Sequence, residues 1–155
     1  MQFHIDKSSP SILSHADALA ENLSSFLLLF ARILVGWLFV KGGFPKLFAI
    51  DAFGMSLASR GVPYALAYPA VAAEFFGGVA LLLGFATRYA AIVLLIFTLA
   101  ATGISHRYWE FAEAAARRAQ EGNFYKNLAI CGAFLALFVS GPGRFSIDGW
   151  LRRRD

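Results

Sequence analysis

Residues 66–105, LAYPAVAAEFFGGVALLLGFATRYAAIVLLIFTLAATGIS, hold two long apolar runs joined only by Ala86-Thr87-Arg88. Each run is close to the roughly 20 residues that an α-helix needs to cross a bilayer. The second carries no charge between Tyr89 and Ser105. Both are continuously apolar rather than alternating, which fits helices and not the strands of a membrane barrel. A link this short predicts a tight antiparallel helical hairpin.

Outward from the hairpin, two more apolar segments of similar length occur at about 24–44 and 124–140. The expected fold is therefore all-α: an integral membrane four-helix bundle with short interfacial helices. The connection over 45–65 begins at Pro45, where the first span is expected to end. Phe53 and Leu57, four residues apart, allow one or two helical turns on the bilayer. The connection over 107–123 is rich in helix formers, and Gly122-Asn123 is expected to stop that helix before the last span. Tyr108, Trp109 and Phe111 belong to the residue types enriched at membrane interfaces. Three regions follow: a polar or amphipathic segment at 1–23, a four-helix membrane domain at 24–151, and a basic tail at 152–155. In the first, Ile12, Ala16, Leu19, Ala20 and Leu23 recur at helical spacing. It reads either as an amphipathic helix on the membrane surface or as a polar tail, and it lacks the apolar core of a secretory signal.

Composition agrees with lipid as part of the solvent. The 155 residues are 58% hydrophobic and 15% charged, against roughly 45–50% and about 25% in soluble proteins. Mean hydropathy is +0.59. So small a soluble chain would need more polar side chains to cover its surface. The net charge of +4 does not point to nucleic acid, because the basic residues flank apolar runs and suit the headgroups of the lipid bilayer. The single Cys131 excludes an intrachain disulfide and any Cys-x-x-Cys motif. His4, His15 and His106 are too dispersed for a zinc site or a two-histidine haem, so no metal and no intrinsic cofactor is expected. An even number of spans puts both termini on one side. Basic residues divide evenly between the two sides, and the Arg152–Arg154 cluster favours cytoplasmic termini.

Charges inside the spans are costly, about 2.5–3.5 kcal/mol each at the bilayer centre, so each needs a partner or a task. Arg32, Lys41 and Glu74 fall in this class. Glu74 lies at an intermediate depth, and nine residues turn Lys41 about 180° from Arg32 on an unbroken helix. Arg32 with Glu74 is thus the simpler intramembrane ion pair, while Lys41 is able to reach the interface. Lys41, Glu74, His106 and Asn127, one from each span, are expected to line a small polar cavity. Gly77 and Gly78 beside Glu74 let neighbouring backbones approach. The plainer alternatives are a purely structural Arg32–Glu74 pair, a snorkelling Lys41, an interfacial His106, and an Asn127 that only bonds a neighbouring helix.

In order, the chain shows Arg32 in a Leu-rich helix, then Lys41-Gly42-x-x-x-Lys46, Glu74-x-x-Gly77-Gly78 and Gly84-Phe85-x-Thr87-Arg88. Asn123-Phe-x-Lys126-Asn127 and Gly141-Pro-Gly-Arg-Phe-Ser-Ile-Asp148 follow. Over about residues 24–151 this order resembles the DoxX family of small bacterial inner-membrane proteins. That family often has His where this chain has Lys41, so a proton-transfer role for the histidine does not carry over. The resemblance implies a multi-pass inner-membrane protein, an accessory or anchoring subunit of a membrane redox system that uses quinone or thiol and oxidative-stress chemistry. Quinone would enter through a complex with a redox-enzyme partner, and a homo-oligomer is a further arrangement. It leaves the enzyme question open: a subunit of an oxidoreductase rather than a complete enzyme. The same charged residues also suit a small permease for a weak acid or anion, or a ligand-free membrane scaffold.

Overall fold

The computed structural model describes residues 11–154, with side chains from residue 15 onward. Residues 1–10 of the N-terminal segment, including His4 and Lys7, and Asp155 of the tail lie outside the described residues. Among the described residues six α-helices follow one another: α1 (Ser11–Phe48), α2 (Ile50–Ala58), α3 (Ala67–Leu83), α4 (Thr87–Ser105), α5 (Ala114–Ser140) and α6 (Ile147–Leu151). Single 3₁₀ turns at Tyr64–Leu66 and Tyr108–Glu110 precede α3 and follow α4. No strand occurs among the described residues. Among the described residues four helices, α1, α3, α4 and α5, are long and apolar enough to cross a membrane.

These four form the bundle. Helix α1 packs on α3, α3 on α4 and α4 on α5, while α5 returns to touch α1. The centre is apolar: Phe39 of α1, Leu81 of α3, Ala90, Ala91 and Leu94 of α4, and Phe134 and Leu137 of α5. The rings of Phe39 and Phe134 lie 5.3 Å apart. Outward-facing Phe26, Phe30, Trp37, Phe76 and Ile96 are exposed, as expected where lipid replaces water as the neighbour.

Lipid chains are as apolar as leucine, so helices here associate through close packing rather than by escaping water. The α1–α3 seam does this with glycine. A Cβ on Gly36 would sit 2.9 Å from the Gly78 carbonyl oxygen, and one on Gly78 would sit 2.9 Å from the Val40 nitrogen. Gly77 faces the other neighbour, with Leu94 of α4 3.0 Å from its would-be Cβ.

Two boundaries differ from expectation. Helix α1 runs through Pro45 to Phe48, because the last turn is held against α3 by Gly43 and by the Lys46 side chain described below. It also runs unbroken from Ser11 into the span, with residues 15–24 exposed. Helix α5 runs through Gly122-Asn123 without stopping. Glycine in a helix costs only about 1 kcal/mol, and no proline is present to break the ladder. The start of α5 is set instead by Glu113, whose carboxylate accepts from Ala115 N at 2.8 Å and Ala116 N at 2.6 Å.

Those two bonds, the Ala115 one foremost, hold the Glu113 carboxyl below its usual range. A depressed carboxyl adds stability above its unfolded-state pKa and loses it as pH falls through the folded-state value. Hydrogen exchange at the Ala115 and Ala116 amides, corrected for intrinsic rates, is therefore expected to rise on acidification through that window. In Glu113→Ala it should be fast at every pH. Exchange in the wild type that ignores pH would show that the cap does not hold the turn.

Candidate functional site

Near the end of the bundle where α1 gives way to α2, Lys46 and Glu74 meet across the α1–α3 seam. Lys46 Nζ lies 2.9 Å from Glu74 Oε1 and 2.6 Å from Oε2. The Glu74 side chain is 9% exposed and that of Lys46 32%. Gly42, one turn before Lys46, makes room for the carboxylate: a Cβ there would lie 2.7 Å from Glu74 Oε1. The ammonium also sits over the Phe53 ring of α2, 4.9 Å from its centroid, within cation–π range. Its place in the last turn of α1 suits the negative end of the helix dipole.

The expected Arg32–Glu74 pair does not form. Arg32 and Lys46 are 14 residues apart, which returns them to within about 40° of the same face but separates them by about 21 Å along the axis. Both face α3, and Glu74 lies at the level of Lys46. Arg32 is fully buried at the far end of α3, where Nη1 donates to Leu81 O at 3.3 Å and Nη2 donates to Phe145 O. Its Nε has no partner. Lys41 is exposed on α1, because five residues turn it about 140° from Lys46.

The remaining two expected cavity residues lie on the α4–α5 seam. Asn127 Nδ2 donates to Thr102 Oγ1 at 3.0 Å, and that hydroxyl donates to Thr98 O at 2.6 Å. His106 Nδ1 donates to Gln120 Oε1 at 2.7 Å. Thr98 Oγ1 is buried with no partner. Gly77 lies against Leu94, and in an antiparallel pair this register puts Glu74 level with residues 97 and 98. The two polar groups thus occupy the same half of the bundle on adjacent seams. Among the described residues no hydrogen bond joins them. Glu74 pairs with Lys46, His106 pairs with Gln120, and Lys41 stands outside.

A second polar knot closes the opposite end. Helix α3 ends at Gly84 in the left-handed region, φ +66°. Gly84 N bonds Leu81 O at 3.1 Å and Phe85 N bonds Ala80 O at 2.9 Å, the paired bonds of a Schellman end. Asp148 then caps α4: its Oδ1 accepts from Ala86 N at 2.7 Å and its Oδ2 from Thr87 N at 2.9 Å. Asp148 N bonds Gly84 O at 2.9 Å. The carboxylate stabilises a turn in which Ala86 itself has φ +46°, a conformation costing about 1–2 kcal/mol for a residue with a Cβ. The sequence reading missed the roles of Lys46 and Asp148. The spacing Gly42-x-x-x-Lys46, one helical turn, is the signal that puts a small residue and a cation on one face.

Removing either partner of the Lys46–Glu74 pair should have unequal effects. Lys46→Met leaves a nearly buried carboxylate without its cation and is expected to cost about 1–3 kcal/mol. Glu74→Gln leaves a third-exposed ammonium free to reach the interface and is expected to cost less than about 1 kcal/mol. The double variant should recover most of the Lys46→Met loss. Unfolding in mixed detergent micelles measures all three, and equal single-variant costs would contradict the asymmetric burial.

The DoxX family profile matches residues 27–107. The stretch includes Arg32, Lys46, Glu74 and Gly84. The chain is 40% identical to the inner membrane protein YphA of Escherichia coli (strain K12) over 124 residues, covering 79% of this chain and 88% of that protein. It is 36% identical to the inner membrane protein YqjF of the same organism over 126 residues, covering 81% and 92%. No solved structure matches the chain.

Proposed function

Because the chain belongs to the DoxX family and is a multi-pass protein of the bacterial inner membrane, we propose that it serves as an accessory or anchoring subunit of a membrane-associated redox system working through quinone or thiol and oxidative-stress chemistry. The observation that carries this reading is the Lys46–Glu74 pair. An ammonium aimed by a nearly buried carboxylate, itself a third exposed and lying over an aromatic ring, has an N–H to offer a carbonyl or anionic oxygen arriving from the lipid. Lys46 and Phe53 are the residues that would hold a quinone head group, the first as hydrogen-bond donor and the second as apolar contact. Quinone supplies the electron-accepting chemistry when bound. In this reading Glu74 positions Lys46, while His106 and Asn127 supply the polar wall of the neighbouring seam. Lys41 meets the headgroups, and both termini lie in the cytoplasm.

The test is capture of the tagged full chain from native membranes, combined with quinone reduction in membranes of a deletion strain. A redox enzyme should copurify, and quinone reduction should fall and return with the wild-type chain but only partly with Lys46→Met. No partner together with unchanged quinone reduction defeats the proposal. An intramembrane ionisable pair also commonly marks a substrate path, which favours a small carrier for a weak acid or anion as the second reading. Flux through liposomes holding this chain alone, lost in Glu74→Gln, would select the carrier. A ligand-free scaffold would show effects on stability alone.

A further inference from the structure

At the end of the bundle where α5 gives way to α6, an open cleft of about 760 Å³ lies between α1 and the segment after α5. Its size falls within the roughly 300–1,000 Å³ typical of clefts that hold a small organic group. Arg144, Arg152 and Arg153 line it, and among the described residues no acidic side chain does. The guanidinium of Arg153 is partly engaged: Nε donates to Gly149 O at 3.0 Å and Nη2 donates to Arg144 O at 3.0 Å. Those of Arg144 and Arg152 make no hydrogen bond or ion pair among the described residues. The Asp148 carboxylate, four residues before Arg152, is occupied by the α4 N-terminus. Three cations thus line one cleft, and two of them have no partner among the described residues.

The lining of the cleft bears on what it would hold. Its α1 wall begins at Ser24 and Ser25, where the apolar stretch of that helix starts, and continues one turn deeper to Leu27 and Leu28. The loop that carries Arg144 is fastened there, with Arg144 N donating to Ser25 Oγ at 3.3 Å. The cleft therefore pairs a cationic rim with an apolar floor at the point where the apolar run of α1 opens. Trp150, beside it in sequence, is 47% exposed, as interfacial tryptophans commonly are.

We propose that this cleft binds the phosphate of an acidic membrane glycerophospholipid, with Arg144 and Arg152 on the phosphate oxygens and the acyl chains descending past Leu27 and Leu28. Guanidinium forks match phosphate oxygens in pairs, and basic pockets at the ends of membrane helices hold acidic headgroups. A free phosphate shares the charge chemistry but has no use for the apolar floor.

The experiment titrates the full chain in detergent with dioleoyl phosphatidylglycerol, dioleoyl phosphatidylcholine or inorganic phosphate, and counts bound lipid by native mass spectrometry. Phosphatidylglycerol should be retained in preference to phosphatidylcholine. Arg144→Gln/Arg152→Gln should weaken its retention about 30-fold, the size expected for losing two surface cations. Arg117→Gln/Arg118→Gln, which removes equal charge from the other end of the bundle, should leave retention unchanged. Neither Arg144 nor Arg152 uses its side chain in the fold, so circular dichroism should be unaltered. Equal retention of the two lipids, or equal loss in the control variant, overturns the proposal. So does displacement of phosphatidylglycerol by millimolar inorganic phosphate, which would assign the arginines to a free anion.

Discussion

Arg32→Ala is expected to destabilise the bundle by about 3–5 kcal/mol. Arg32 is fully buried and reaches two backbone carbonyls that are far apart in sequence, Leu81 at the end of α3 and Phe145 after α5. Truncation leaves the Phe145 carbonyl without this donor and removes one of two donors from Leu81. It also opens a cavity where the guanidinium stood. Arg32→Lys keeps the charge but lacks the fork that spans both acceptors, so it should recover only part of the loss. Two measurements check this: unfolding in mixed micelles, and the rate of tryptic cleavage after Arg144, which should rise as the C-terminal segment loosens. Wild-type cleavage rates in Arg32→Ala would show that the arginine does not fasten that segment.

Gly84→Ala should cost about 2–5 kcal/mol through two separable effects. Gly84 and Gly61 both have positive φ, +66° and +79°, and a Cβ in that region costs about 1–2 kcal/mol. At Gly61 nothing lies within 4 Å of the added atom, so Gly61→Ala should show the backbone cost alone. At Gly84 the new Cβ would stand 2.0 Å from Arg32 Nη1 and 2.4 Å from Ser146 Cβ. Overpacking adds about 1–3 kcal/mol, because the guanidinium is held by its two carbonyls and has little room to withdraw. Comparing the two variants by thermal unfolding in detergent isolates the packing cost. Equal losses would mean that the turn yields freely around Arg32.

The four spans were legible because crossing a bilayer imposes a length and an apolar composition on each helix separately. The hairpin between α3 and α4 was legible because Ala86-Thr87-Arg88 leaves no alternative connection. Glu74 was recognised as a charge in need of a partner, and its partner was misassigned. Arg32 and Lys46 lie nearly on one face of α1, so periodicity does not choose between them. The choice rests on how far α3 slides along α1, which Gly36, Gly43 and Gly78 set through backbone contact. Lys41 was favoured for a cavity by its depth, but its angle around the helix turns it outward. The role of Asp148 is hidden in the sequence, because its work as a cap for α4 joins residues more than 60 positions apart.

The sequence by itself determined that this protein lives in lipid, crosses it with four helices and carries more charge at membrane depth than lipid tolerates unpaired. These are properties of single segments, each decided by its own exchange between water and hydrocarbon. The tertiary structure alone decided which charge meets which. It gave Glu74 to Lys46 and Arg32 to two distant carbonyls, and it gathered three arginines around a cleft with an apolar floor. Such pairings depend on the relative register of helices, and that register is fixed by contacts that form only when the helices pack together.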